Sequence, residues 1–202
     1  MIPNRLFALV LLFALPGAGH AQEGPAFDCA KAESSAEKLV CDDPALAALD
    51  RRLADRFAAA LSVTRGLDTG AKEVEDNLRA TQRGWIKGRD ECWKDPDLRA
   101  CVEAEYLRRE AELVAEFLLE EASGVRDLVC GDAGRSLTVY EFATELPAVR
   151  VEEGDGVHVG ALVSPDTPRD YYVILWGGVA LGGAEPRIRD IYGETTTCRF
   201  VG

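Results

Sequence analysis

Six cysteines, all placed after an apolar leader, constrain this 202-residue chain more than any other feature. The chain opens Met1-Ile2-Pro3-Asn4-Arg5, runs apolar from Leu6 to Leu15, breaks at Pro16-Gly17 and offers small residues at Gly19 and Ala21. A charged start, a short apolar core and a small-residue cut site form the pattern of a secretory signal, here residues 1–21. The apolar run is too short to cross a bilayer by itself. Gln22 rather than cysteine follows the cut, so a lipid anchor is not expected. In an exported chain, Cys29, Cys41, Cys92, Cys101, Cys130 and Cys198 read as a disulfide framework. The expected location is the periplasm, or the space outside the cell.

That framework narrows the chemistry. Oxidised sulfurs do not hold zinc, so no metal site is expected. Of the two histidines, His20 leaves with the leader, and a nucleophile–histidine–acid triad has His158 alone to form around. The alternating context of His158 reads it as a surface or edge-strand residue. Glu152 and Glu153 are the best paired carboxylates, but neighbours in a strand or turn point apart and suit glycoside cleavage poorly. Val151 to Gly156 reads more simply as an acidic turn. With no glycine-rich phosphate loop and no basic stripe, neither an enzyme nor a cofactor nor a nucleic-acid partner is expected. The net charge of −12 repels nucleic acid and anionic membranes and speeds encounter with basic proteins.

Residues 27–122 read as helical. Asp28 is placed to cap a short helix across Cys29 to Cys41. Asp43-Pro44 is an N-cap followed by proline at the first helical position. Leu46, Leu49, Leu53, Phe57 and Leu61 then make one apolar stripe. Gly66 to Gly70 breaks it, and a third helix carries Val74, Leu78, Thr81 and Trp85. Asp95-Pro96 repeats the cap signal before a last helix with Leu98, Val102, Tyr106, Leu113 and Phe117, which ends before Ser123-Gly124. Its acidic run from Glu110 to Glu121 reads as a solvated face. Cys29, Cys41, Cys92 and Cys101 sit at helix ends and allow three pairings. Antiparallel packing weakly favours Cys92 near Cys41, leaving Cys29 for Cys101.

This block resembles a known family. Phe27-Asp28-Cys29, Glu37 to Cys41, Asp43 to Asp50 and Gln82 to Cys92 recur in order, with Cys101 and Tyr106 behind them. Together they are similar to the N-terminal domain of the LprI-type lysozyme inhibitors. The resemblance implies an exported helical module, associated in some members with lysozyme inhibition. Leu49, Trp85 and Tyr106 read as core, and Arg89-Asp90 as a local ion pair.

After Ser123-Gly124 the composition shifts to short β-branched and aromatic runs broken by Gly, Pro, Asp and Glu. Strands are expected over 126–130, 136–142, 148–152, 156–163, 170–176, 179–182, 187–192 and 195–200. Val157, Val159, Ala161 and Val163 alternate with other residues. The fold class is therefore α then β: a disulfide-stapled antiparallel helical bundle, then a small antiparallel β-barrel or sandwich over 126–202. Cys130 and Cys198 bracket this second unit, and joining them would contribute roughly 4 kcal/mol by loop entropy.

The β half in turn resembles the MliC family of periplasmic inhibitors of animal-type lysozyme. The carriers are Cys130, Leu137-Thr138-Val139-Tyr140, the Val157 to Val163 strand, a Ser-initiated loop, an aromatic strand ending in Trp176, and Thr197-Cys198. The resemblance implies a Ser-Gly loop that enters the lysozyme cleft and a lysine after the tryptophan. Here Ser164-Pro165 stands for the first, and Gly177-Gly178 follows Trp176 where the lysine is expected. Ser164, Thr167 and Arg169 are accordingly the candidate partner-binding residues: two hydroxyls and a substitute cation on a loop stiffened by Pro165 and Pro168. A hydroxyl can bond one of the two carboxyl groups that cleave the glycosidic bond, and a cation can pair with the other. The expected partner is lysozyme or another basic exported protein; the alternative is a general periplasmic protein-binding or envelope-assembly module.

Overall fold

The computed structural model describes residues 24–201, and the leader expected over residues 1–21 lies outside them. Among the described residues, the helices are α1 (Ser35–Asp42), α2 (Pro44–Arg65), α3 (Ala71–Asp90) and α4 (Leu98–Phe117). The strands are β1 (Gly124–Cys130), β2 (Arg135–Phe142), β3 (Ala148–Glu153), β4 (Gly156–Leu162), β5 (Asp170–Val173), β6 (Gly177–Ala180), β7 (Arg187–Arg189) and β8 (Thr195–Val201).

The helix starts follow local chemistry. Asp43 accepts from the N–H groups of Ala45 at 2.8 Å and Leu46 at 3.2 Å, with Pro44 in the first turn of α2. The segment Cys29 to Cys41 is not one helix. Asp28 caps a 3-10 turn, Cys29–Lys31, and α1 begins afresh with a Ser34–Glu37 capping box. The cap of α4 lies two residues beyond the expected Asp95. Asp97 accepts from Ala100 N–H at 2.9 Å, while Asp95 accepts from Asp97 N–H and closes the preceding turn.

The bridges correct the pairing favoured above. Cys29 joins Cys41 and Cys92 joins Cys101, with Cα atoms 5.9 and 5.7 Å apart. Each ties a 3-10 turn to the helix beside it, since Cys92 lies in the turn Glu91–Lys94 that ends α3 and Cys101 in the first turn of α4. These local closures restrain short loops instead of crosslinking distant helices. Leu46, Leu49, Leu53, Leu78, Val102, Tyr106 and Leu113 form the bundle core, with Phe57, Leu61, Val74 and Trp85 packed against it.

The eight strands close into an up-and-down barrel in which each strand pairs with the next and β8 returns to β1. Closure leaves no open sheet edge. Val139, Val149, Val151, Val173, Val179 and Ile188 fill the interior. Cys130 and Cys198 face each other across β1 and β8 and are bridged. Two strands stop three residues before their expected ends. β5 stops at Val173 because Leu175 takes a left-handed conformation (φ 59°) and turns the chain back. β7 stops at Arg189 because the Asp190 carboxylate accepts from the N–H groups of Tyr192 and Glu194, both at 2.9 Å.

Serine at both Cys130 and Cys198 is expected to destabilise the protein toward the upper end of about 2–4 kcal/mol. The bridge spans 68 residues, against 12 and 9 for the others. Denaturant unfolding of the three pairwise serine variants checks the ranking; equal losses would show that loop length is not the cause.

Helix α4 is apolar on two sides. Val102, Tyr106, Leu113 and Phe117 enter the bundle core, whereas Ala111, Val114 and Ala115 pack on Phe142 and Ala148 of the barrel. The small residues at 111, 115 and 148 allow close approach of helix and sheet. Glu110 is buried rather than solvated, because its carboxylate receives Arg52 at 2.8 Å. Arg150 of β3 donates to Glu116 O at 2.7 Å, a cation on the carbonyl end of α4. The halves are also joined by Arg52, which reaches Glu145 at 2.7 Å.

Candidate functional site

The β4–β5 connection, residues 163–169, carries the three residues singled out in the sequence. Val163 N–H donates to Asp170 O at 2.9 Å and closes its base. Ser164 Oγ accepts from Asp166 N–H at 3.2 Å. Thr167 donates twice to Ser164 O, by its N–H at 3.1 Å and its hydroxyl at 3.3 Å. The loop thus brings Ser164 and Thr167 together, with Thr167 exposed and Ser164 half-buried. Arg169 plays another part. It sits at φ 64° and forks onto the buried Glu141, with contacts of 2.9 and 2.7 Å. The Tyr171 hydroxyl donates to the same carboxylate at 3.2 Å. The Glu141 hydrogen bond raises the Arg169 pKa, so the guanidinium is a fixed charge already matched inside the protein. It anchors the loop and does not stand free.

The turns of an up-and-down barrel alternate between its ends, so this loop lies opposite the β5–β6 turn that holds Trp176. A side chain is excluded at the position after Trp176: a Cβ on Gly177 would lie 1.8 Å from Arg189 O. A cation is nevertheless present, since a Cβ on Gly178 would lie 3.2 Å from Arg189 Nη2. The Arg189 guanidinium therefore covers Gly178 from the neighbouring strand. Sequence reasoning missed Arg189, because its nearness to Gly178 follows from strand pairing; the cation set against the Trp176 ring is Arg135, 5.3 Å from its centroid. His158 packs its ring 5.9 Å from that of Trp176. Glu152 and Glu153 do not act as a pair. Glu152 receives Arg150 at 2.7 Å, and Glu153 receives Arg135 at 2.7 Å, which holds its carboxyl below the usual range.

A second surface was not foreseen. The alternation Val157, Val159, Ala161, Val163 holds, but Val159 and Ala161 pack against the α4–barrel contact and not in the barrel interior. Gly160 faces Val173, where a Cβ would come within 2.1 Å of Tyr172 O. The outer face of β4–β5 forms the floor of a groove of about 1700 Å³, walled by Val74, Trp85, Leu107 and Phe117 of the bundle. The available signal was α4 itself, a helix with apolar residues on more than one stripe.

Charges line this groove, and most are matched. Arg108 meets Glu105 at 2.5 Å and Arg109 meets Glu112 at 3.1 Å. Glu116 also lines it, half-buried, and makes no side-chain hydrogen bond or ion pair among the described residues. Burial pushes its carboxyl above the ordinary range, against the pull of nearby Arg109 and Arg150.

Comparison with known proteins bears on the helical half. Residues 29–113 match the family described as "Lysozyme inhibitor LprI". Lipoprotein LprI of Mycobacterium bovis and lipoprotein LprI of Mycobacterium tuberculosis are each 34% identical over 90 residues. That alignment covers 45% of this chain and 41% of each relative. The chain thus spans well under half the length of the curated relatives it matches. No solved structure matches. No helix among the described residues is long and apolar enough to cross a membrane.

Proposed function

With an LprI-type domain as its helical half, we propose that this chain is an exported binding protein that inhibits a lysozyme of the animal type and does no chemistry of its own. The observation that carries the reading is the family match over residues 29–113. Three disulfides and a closed barrel support it, because they make rigid surfaces that lose little entropy on binding. The net charge of −12 suits a basic target. In this reading the β4–β5 loop enters the lysozyme cleft, with Thr167 and Ser164 offering hydroxyls to the catalytic carboxyl groups. Arg169 holds the loop base through Glu141. The periplasm is the proposed compartment.

Cell-wall lysis by an animal-type lysozyme, measured with increasing amounts of this protein, tests the reading. Slowing at near-stoichiometric ratios is the expected result; full lysozyme activity at several-fold molar excess sinks it. The double variant Ser164→Ala/Thr167→Ala is expected to inhibit about tenfold less well, as for hydrogen bonds to charged groups. Unchanged potency would move the contact away from this loop.

A further inference from the structure

The groove between α3–α4 and the β4–β5 face is a second surface, which meets the β4–β5 loop at Val163 but is not lined by Ser164, Thr167 or Arg169. Its volume of about 1700 Å³ exceeds what a small ligand fills. Its apolar residues are not scattered singly: Tyr172 (56% exposed), Leu118 (51%), Val157 and Ile174 lie around one depression. A continuous apolar surface of this kind on a water-facing protein marks a place where another chain sits.

Charge selects what that chain carries. Each arginine lining the groove already has a carboxylate: Arg108 has Glu105, Arg109 has Glu112, and Arg150 has Glu152. Glu116 has none within ion-pair reach among the described residues, and it stands half-buried beside apolar walls. Arg109 and Arg150 act on this half-buried carboxylate from beyond contact distance, and a cation brought into contact with it offsets more of the cost of its burial. An anionic ligand would meet the same carboxylate unfavourably. A second copy of this chain would bring another net charge of −12. The complement is therefore apolar and positively charged.

We infer that this groove docks an extended apolar segment of a basic protein partner, with a lysine or arginine of that segment paired to Glu116. The inference goes beyond the inhibitor reading, because it concerns a different face and holds whether or not the partner is a lysozyme.

The test uses the full protein and two synthetic octapeptides, one alternating leucine with lysine and one alternating leucine with glutamate. Trp85 lines the groove, so its fluorescence reports entry. The lysine peptide is expected to bind at least about tenfold more tightly than the glutamate peptide. Glu116→Gln, which keeps the shape and removes the charge, is expected to lose that preference while its thermal unfolding shows an intact fold. Tyr172→Ser is expected to weaken the lysine peptide without abolishing its advantage over the glutamate one. Equal binding of the two peptides would overturn the inference, and so would full-strength lysine-peptide binding by a folded Glu116→Gln. The lysozyme assay is independent of these outcomes, so failure of one reading does not imply failure of the other.

Discussion

Gly177→Ala is expected to destabilise the barrel by about 3 kcal/mol or more, the range of changes that force backbone strain together with a steric clash. Gly177 sits at φ 125°, a conformation that side chains other than hydrogen rarely adopt. Its added Cβ would stand 1.8 Å from Arg189 O and 2.8 Å from two backbone carbons of β7 and its turn. Those atoms belong to the strand paired with β6, so they cannot move aside without breaking the ladder that closes the barrel. Gly178→Ala is the control. Its Cβ would meet the Arg189 guanidinium and Tyr171 O, both at 3.2 Å, and the first can swing away. A loss of about 1 kcal/mol is expected there, typical of a single mild substitution. Urea unfolding followed by tryptophan fluorescence separates the two. A Gly177→Ala variant as stable as the parent would mean that β6 and β7 do not approach this closely. Gly177 admits no side chain, whereas the guanidinium of Arg189 lies over Gly178 from the neighbouring strand.

Much of the architecture was legible where the determining chemistry is local. Asp43-Pro44 marks the start of α2 because an acid and a proline act within one turn. The eight strands were legible because alternation and turn residues act within a few positions. The helix–barrel arrangement itself follows from the shift in composition after Ser123-Gly124. What was not legible depends on long-range placement. The Cys29–Cys41 and Cys92–Cys101 pairing rests on 3-10 turns whose direction no spacing announces. The end of β5 rests on a left-handed leucine, which carries no compositional signal. Arg169 was read as a free cation, and Glu141, 28 positions away, takes up its charge. The groove depends on docking α4 against β3 and β4. The acidic run at Glu110 therefore looked solvated until Arg52 and the barrel were placed around it.

Arg89→Ala is expected to cost about 3–5 kcal/mol, the usual loss when one member of a buried charged network is removed. Arg89 is 3% exposed, and it donates to Asp90 Oδ1 at 2.7 Å and to the Tyr106 hydroxyl at 2.8 Å. Tyr106 in turn donates to Asp50 at 2.8 Å, and Ser34 donates to Asp90 at 3.1 Å. One guanidinium thereby connects α3 with α4 directly, α2 through Tyr106, and the cap of α1 through Asp90. It also stacks 5.5 Å from the Trp85 ring and 5.7 Å from that of Tyr106, so the loss combines charge and packing. Burial pushes the Tyr106 hydroxyl well above its ordinary range, so it stays protonated and serves Asp50 as a donor at any working pH. Arg89→Lys is expected to recover little, because an ammonium cannot bond Asp90 and Tyr106 at once in the fork geometry. Tyr106→Phe is expected to cost about 1–3 kcal/mol, since it leaves Arg89 and Asp50 each short of one partner but keeps the ring in the core. Combining Arg89→Ala with Tyr106→Phe is then expected to cost less than the sum, because both break one chain of contacts. Additive losses in denaturant unfolding would show that Arg89 and Tyr106 contribute independently and not as one network.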